Sequence, residues 1–257
     1  VVAMEPPSSF DPDAVRNETN KVFTSFRKIE QQEVDRYAVR GQYTGSTLDG
    51  IKISGYREES LVAKDSRTET YAALKVFIDN WRWGGVPFFI RTGKRLPTRV
   101  TEVVIHFNPT PHFLFAQESQ KSSGLNQLIL RIQPNEGILL KFGMKIPGSG
   151  FRVKNVNMDF HYSELSEQRV PTAYERLLLD CMLGDGTLYA RGDAVEACWR
   201  FVDPILKAWE NNPKSKIYGY RSGTWGPREA NDLFADHGVE WRYPCKNLVD
   251  DGDICEL

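Results

Sequence analysis

Five strand-like runs follow one another in the middle of the chain: VPFFIRT, TEVVIHF, QLILRIQ, GILLKFG and NVNMDFHY, from Val86 to Tyr162. Each run is rich in the β-branched and aromatic residues that favour strands. A parallel connection needs about a dozen residues and usually a helix, and most of the intervals between these runs are shorter. The runs therefore predict a large, mainly antiparallel β-sheet.

Segments with helical or strand character flank this sheet. Apolar residues recur at helical spacing in residues 11–29, 68–83, 171–183, 193–213 and 227–238, with Asp193 as an expected N-cap and Gly238 as a stop. Two shorter runs, RYAVRGQYTG and IKISGY, read as strands. Strands grouped in the middle and helices near the ends indicate an α+β fold, with helices packed against the sheet.

Length and composition restrict the class of protein. We find no internal repeat or break in composition across residues 1–257 and expect a single domain. The net charge is −1 with the signs interleaved, which favours neither nucleic acid nor a membrane surface as a partner. No apolar run could span a bilayer and no signal peptide is evident, so we expect a cytoplasmic protein. The four cysteines show no C-x-x-C pair; we expect reduced thiols and no metal site.

Common catalytic motifs do not occur in the sequence. We find neither G-x-G-x-x-G nor a P-loop, and neither G-x-S-x-G nor H-E-x-x-H. The glycine-containing segments GDGTLYARG and PGSG read as connections between helices and between strands. His106 and His161 alternate within strands, where a lone histidine is more often packed or solvated than catalytic. We therefore assign no catalytic and no cofactor-binding residue within this chain.

A basic loop is the strongest chemical feature. In FFIRTGKRLPTRV, two apolar runs flank Arg91, Lys94, Arg95 and Arg99, and the loop reads as a hairpin tip. Such cations are often simply solvated, but Gly93 for a tight turn and Pro97 for stiffness suggest that they are fixed, which suits an oxygen-rich ligand.

The end of the run QLILRIQ is a second candidate feature. Strand alternation places Leu128, Leu130 and Ile132 on one face, and Ile129, Arg131 and Gln133 on the other. Gln133 is then either a ligand-binding amide beside the loop or an ordinary surface residue.

Several motifs in order resemble one known family. NWRWGGVPFFIRTGKRL, RIQPNEG, PTAYERLLLD and GTWGPREANDL resemble the C-terminal domain of glucose-6-phosphate dehydrogenase, as do VVAMEPP, AVRNETNKVF and RGQYTG. The resemblance runs from the first residues to about Trp241. It implies an enzyme that oxidises glucose 6-phosphate to 6-phosphogluconolactone with NADP, in the pentose phosphate pathway.

The same resemblance implies that this chain binds the sugar and that the cofactor and the catalytic residue belong to another part of the enzyme. In the family a Rossmann domain precedes this region and binds most of the NADP, and the catalytic histidine also lies upstream, so we expect this chain alone to be inactive. Lys94, Arg99 and Gln133 match family residues that hydrogen-bond the sugar. The sheet is expected to form a homo-oligomer interface. A non-catalytic dimerisation or regulatory module with the same fold is the alternative reading.

Some family members bind a second, structural NADP in this domain. Arg131, Lys141 and Asp159 fit that pattern. Val100, Leu139 and Trp225 stand where those members have Lys, Tyr and Arg. For this reason the second NADP site is not carried over to this chain.

Overall fold

The computed structural model describes residues 1–48, 50–109, 126–150, 152–165, 171–234 and 237–244. The chain separates into two compact units: unit 1 comprises Val1–Leu96 and Pro171–His237, and unit 2 comprises Pro97–Val170 and Gly238–Leu257. Helices and mainly antiparallel sheets are both present, which confirms the α+β class. The expectation of a single domain stays a prediction.

Ten strands and four α-helices occur in the described residues. The strands are β1 (Ala38–Thr44), β2 (Ser46–Leu48), β3 (Ile51–Ile53), β4 (Tyr71–Phe77), β5 (Pro87–Gly93), β6 (Thr101–His106), β7 (Gln127–Gln133), β8 (Gly137–Lys145), β9 (Val153–His161) and β10 (Tyr218–Arg221). The helices are α1 (Pro12–Thr24), α2 (Val34–Tyr37), α3 (Ala173–Leu183) and α4 (Gly192–Asn211). Turns of 3₁₀ helix lie at Gln31–Glu33, Tyr56–Glu58, Tyr162–Leu165 and Arg228–Phe234. The five predicted strands are confirmed as β5 to β9.

Unit 1 is built on a four-stranded sheet in the order β10-β1-β4-β5. The pairs β1–β4 and β4–β5 are antiparallel, and β1–β10 is parallel. The short strands β2 and β3 form a separate antiparallel ribbon. The core lies between this sheet and α4, where Phe201 and Ile205 pack with Val34 and Val76. Burying each such side chain stabilises the fold by about 1.5–3 kcal/mol.

The segment TETYAALKVFIDNWRW contains strand β4, so the helix predicted for residues 68–83 is wrong. Ala72, Leu74 and Val76 pack in the core cluster, whereas Tyr71 and Ala73 are buried on the opposite face. Because β4 is an inner strand with both faces covered, apolar residues occupy consecutive positions. Their spacing then imitates the helical period.

Two predicted helix ends also differ from the structure. Arg191 is the N-cap of α4, so Asp193 lies in the first turn rather than at the cap. There its carboxylate accepts a 2.7 Å hydrogen bond from Arg191 Nε, in a position that the helix dipole favours. The helix predicted over residues 227–238 is the 3₁₀ segment Arg228–Phe234, which begins after Pro227.

Unit 2 contains a second four-stranded sheet in the order β6-β7-β8-β9, with every pair antiparallel. The PGSG segment connects β8 to β9, and GDGTLYARG connects α3 to α4, as the sequence predicted. Cys181 and Cys198 are free thiols, and Cys245 and Cys255 lie outside the described residues. No helix in the described ranges is long and apolar enough to cross a membrane.

Candidate substrate-binding site

The basic loop after β5 is anchored through the backbone of Lys94. The Lys94 N–H donates to the carbonyl oxygen of Thr70 at 2.8 Å, and the hydroxyl of Tyr220 donates to the Lys94 carbonyl oxygen at 2.7 Å. Tyr220 is 3% exposed, and burial raises the pKa of its phenol. Both polar groups of the Lys94 backbone are thereby held by unit 1.

The loop itself is a connection between two sheets. β5 pairs with β4, and β6 pairs with β7 in the other sheet. The predicted hairpin is therefore wrong, because alternating apolar runs on either side of a turn do not specify which strands pair. The loop still separates two strands, as the sequence indicated.

The left-handed residue of the loop is Arg95 and not Gly93. Arg95 has a φ of 55°, a left-handed conformation that is uncommon for residues with a side chain. Gly93 ends β5 and is required for a different reason: a Cβ there would lie 2.7 Å from the ring of Tyr71. The sequence correctly marked Gly93 as constrained but assigned it the wrong role.

Two of the loop cations bind partners within unit 1. Arg95 Nη2 lies 3.1 Å from a carboxylate oxygen of Glu59, whose hydrogen bond raises the pKa of the guanidinium. Arg91 lies over the ring of Trp225, with 5.1 Å between the guanidinium carbon and the ring centroid. Lys94 is exposed, and no ion pair to it occurs among the described residues. Of these three cations, Lys94 is the one best placed to receive an external anion or hydroxyl.

Lys94 also lines an open cavity of about 670 Å³ within unit 1. This volume falls in the range typical of small-molecule sites. Aromatic and carboxylate side chains share the wall: the lining residues are Tyr43, Tyr56, Glu59, Glu69, Thr70, Tyr71, Ala72, Thr92, Gly93, Lys94 and Arg95. The cavity therefore combines aromatic rings, on which a ligand can stack, with positively and negatively charged groups that can form hydrogen bonds.

Arg99 and Gln133 both belong to the end of the β6–β7 pair in unit 2 where β6 begins and β7 ends. Gln133 is the register partner of Thr101, and its Nε2 donates to Thr101 Oγ1 at 2.8 Å. Arg99 precedes Thr101 by two residues, and the side chains of Arg99 and Gln133 are both exposed. The bond to Thr101 occupies one amide N–H and leaves the amide oxygen and the second N–H for a ligand. Lys94 belongs to unit 1.

A partly buried ion pair lies on the face of β7 opposite Gln133. Arg131 is 6% exposed, and its Nη2 donates to Asp159 Oδ2 at 2.7 Å. Its Nη1 lies 3.0 Å from His161 Nε2. Burial opposes the ionisation of Asp159, but the hydrogen bond and charge of Arg131 hold its pKa below the ordinary value. Leu139, the register partner of Asp159, is fully buried.

The opposite face of the unit 2 sheet is apolar. The register aligns Leu128 with Leu140 and aligns Leu140 with Met158. The predicted alternation along β7 is confirmed for Ile129 and Arg131, which are buried on the other face. It is wrong for Gln133, because Arg131 and Gln133 pair with the adjacent residues Glu102 and Thr101, and this bulge places Gln133 on the face of Thr101. We call the following residues the apolar sheet face: Val103, Ile105, Leu128, Leu130, Ile138, Leu140, Phe142, Met144, Val156, Met158 and Phe160. Met144 is 50% exposed and Met158 is 62% exposed.

Sequence reasoning missed Tyr220 and Thr101, which hold Lys94 and Gln133. A weak signal for Tyr220 exists in the short alternating run YGYR, which forms β10. Nothing in the sequence distinguishes Thr101 from other threonines that begin strands.

Comparison with known proteins identifies the family. The family model described as glucose-6-phosphate dehydrogenase, C-terminal domain, matches residues 1–242. This chain belongs to that family. The glucose-6-phosphate 1-dehydrogenase of Treponema pallidum is 48% identical over 258 residues, which cover 100% of this chain and 50% of that protein. The same enzyme of Aggregatibacter actinomycetemcomitans is 51% identical over 95% of this chain and 48% of its own length.

Solved structures of glucose-6-phosphate dehydrogenases agree with this assignment. The Mycobacterium avium enzyme is 38% identical with a TM-score of 0.76, over 95% of this chain and 47% of that one. A glucose-6-phosphate dehydrogenase solved in complex with glucose 6-phosphate is 34% identical with a TM-score of 0.80, over 94% of this chain and 48% of its own. The chain therefore spans about half the length of the family proteins that it matches.

Proposed function

We propose that this chain is the substrate-binding half of an NADP-dependent glucose-6-phosphate dehydrogenase. The observation that carries the proposal is the family match over residues 1–242. The anchored Lys94 beside a cavity of suitable size supports it. The overall reaction oxidises C1 of glucose 6-phosphate to the lactone: C1 transfers a hydride to NADP, and the C1 hydroxyl gives its proton to a base.

Lys94, Arg99 and Gln133 are the proposed substrate contacts. Lys94 and Arg99 donate charge-assisted hydrogen bonds to sugar or phosphate oxygens, and Gln133 offers both a donor and an acceptor to a hydroxyl. Their role is to hold the sugar so that its C1 hydrogen faces the nicotinamide. Orientation of this kind can account for several kcal/mol of the barrier reduction.

The base and most of the NADP contacts belong, in this proposal, to an amino-terminal half such as the one present in the relatives. When bound there, NADP accepts the hydride. The 257 residues of this chain are accordingly expected to show no turnover by themselves. Discrimination between NADP and NAD is also assigned to that half.

A second copy of the chain is the proposed occupant of the apolar sheet face. Large apolar patches are rare on the surfaces of monomers and usually mark interfaces. A homodimer through this face would remove its exposed methionines from water. Light scattering of Met158→Asp against wild type tests the dimer, and we expect the mass to fall to that of a monomer.

Titration of the chain with glucose 6-phosphate, followed by NMR, tests the binding role. Charge-assisted hydrogen bonds contribute about 1.5–3 kcal/mol each, and capture of a free ligand costs about 4 kcal/mol or more. We therefore expect millimolar affinity or weaker. Lys94→Gln, Arg99→Gln and Gln133→Leu should each weaken binding further, whereas Lys52→Gln and Lys154→Gln, at exposed positions in β3 and β9, should not.

Three outcomes would contradict this proposal. Micromolar affinity would mean that the chain contains a complete site of its own. Binding that is unaffected by all three substitutions would place the ligand elsewhere. A stable homodimer with no affinity for the sugar phosphate would instead favour the non-catalytic dimerisation module.

A further inference from the structure

Helix α3 is folded but barely packed against the rest of unit 1. Of the residues in Ala173–Leu183, only Asp180 is buried. Leu177 is half-buried and the remainder are exposed, although most of the helix is apolar. Soluble helices normally bury their apolar side, so α3 is the reverse of the usual arrangement.

The ends of α3 are well formed. Thr172 accepts a hydrogen bond from the Glu175 N–H, and the Glu175 carboxylate accepts one from the Thr172 N–H, which together form a capping box. Gly184 ends the helix with a φ of 71°. An 11-residue helix is nevertheless marginal in water without tertiary packing. The capping box and Gly184 thus define a helix whose apolar surface is available to bind another domain.

The exposed apolar residues of α3 form one continuous surface. Tyr174, Leu178 and Met182 follow at intervals of four residues and therefore form a stripe, and Leu179 and Leu183 widen it. Tyr174, Leu178 and Met182 are 80%, 66% and 78% exposed. Asp180 lies on the other side, where its Oδ1 accepts a 2.8 Å hydrogen bond from Arg176 Nε. We call Tyr174, Leu178, Leu179, Met182 and Leu183 the α3 face.

We propose that the α3 face is the docking surface for the amino-terminal half of the enzyme. The relatives that match this chain are about twice its length, and the matching family model is described as a C-terminal domain. Each relative thus carries a second half in the same polypeptide, and two halves that cooperate in catalysis need a defined interface. Interfaces between domains bury about 600–1,500 Å². Leu188 and Tyr189, which follow α3 in the chain, are 58% and 38% exposed and add further exposed apolar surface to unit 1.

The choice of this occupant over a second copy rests on a separate observation. Unit 2 has its own apolar sheet face, which already offers a surface for self-association. The α3 face is in unit 1 and consists of a single short helix. This inference rests on the proposed function, because it assumes that the chain acts as one half of a two-part enzyme.

The rate at which the native thiol of Cys181 is modified measures how accessible α3 is to solvent. Cys181 is exposed within α3, so a maleimide should modify it rapidly in the 257-residue chain. The second protein in the experiment is a chimera, in which this chain replaces the matching half of the Treponema pallidum enzyme. Labelling of Cys181, quantified by peptide mass spectrometry, should be at least tenfold slower in the chimera than in the chain alone.

Substitution of the α3 face supplies the matched comparison. Leu178→Asp in the chimera should return Cys181 labelling to the rate in the isolated chain. Leu61→Asp makes the same change at a fully exposed leucine in unit 1, between β3 and β4, and should leave the protection intact. In the isolated chain, neither substitution should change the midpoint of unfolding, because both leucines are already in water.

The outcomes separate the interface from the proposed function. Fast labelling of Cys181 in a catalytically active chimera would overturn the α3 docking surface and leave the enzyme assignment standing. Protection of Cys181 in a chimera that binds no sugar phosphate would support the α3 docking surface and overturn the enzyme assignment. Protection that appears in the isolated chain as its concentration rises, with a doubled mass that Leu178→Asp abolishes, would mean that a second copy covers the α3 face, which also overturns the proposal.

Discussion

The hydroxyl of Tyr220 lies 2.7 Å from the carbonyl oxygen of Lys94, although the two residues are 126 positions apart in sequence. This contact joins β10 to the residue that follows β5, across a sheet in which these strands occupy opposite edges. The same hydroxyl lies 3.1 Å from Thr70 Oγ1, which accepts a hydrogen bond from the Tyr43 N–H. A partly buried chain of polar groups therefore holds the backbone of the proposed substrate-binding lysine.

Removal of this hydroxyl should destabilise unit 1. Tyr220→Phe leaves the Lys94 carbonyl oxygen without its buried donor, a change that typically costs about 1–3 kcal/mol. Urea unfolding followed by circular dichroism measures the loss. Tyr218→Phe, at a half-buried tyrosine in the same strand, is the control and should change the free energy of unfolding much less. Equal effects of the two substitutions would contradict a special role for the Tyr220 hydroxyl.

The same tyrosine predicts a dependence of stability on alkaline pH. Burial raises the pKa of Tyr220 above its ordinary value of about 10. The folded state therefore keeps a proton that the unfolded state releases, so this contribution is complete below about pH 10 and is lost as the pH rises through the folded-state pKa. The free energy of unfolding should fall more steeply from pH 9 to pH 11 in wild type than in Tyr220→Phe. Parallel curves would show that Tyr220 ionises normally.

Gly93 should not tolerate a methyl group. In Gly93→Ala the new Cβ would lie 2.7 Å from Cδ2 of Tyr71, so the ring or the strand must move. Overpacking of this kind costs about 1–3 kcal/mol. Gly192→Ala is the matched control, because a Cβ there would have no atom within 4 Å. Thermal unfolding should show a lower midpoint for Gly93→Ala than for wild type, whereas the midpoint of the control should not fall. An unchanged midpoint in both variants would contradict the packing argument.

The Arg131–Asp159 pair predicts a dependence of stability on acidic pH. The folded-state pKa of Asp159 is lowered, so its stabilising contribution is present above the unfolded-state pKa of about 4 and is lost as the pH falls through the folded-state value. Wild type should therefore be more stable than Asp159→Asn at pH 7, and the difference should shrink below about pH 4. Asp65→Asn, at an exposed aspartate, is the control. A difference that stays constant from pH 7 to pH 3 would contradict the ion pair.

The strands of unit 2 were predictable because their signals are local. In β7 and β8 the residues on one face of the sheet are apolar at every second position, and the intervals are too short for crossover helices. The capping box at Thr172 and the stop at Gly184 likewise define α3 from neighbouring residues alone. The family resemblance also resides in contiguous motifs, and the family model over residues 1–242 confirmed it.

Other features depended on partners that are distant in sequence. β4 has the apolar spacing of a helix, and only its position between β1 and β5 makes it a strand. The basic loop has the pattern of a hairpin, yet its two strands pair with other neighbours. The sequence by itself thus determined the fold class, the family and the cations offered to a ligand. Tertiary structure decided which cations bind within the protein, since Glu59 and Trp225 hold Arg95 and Arg91 through contacts that no local pattern encodes.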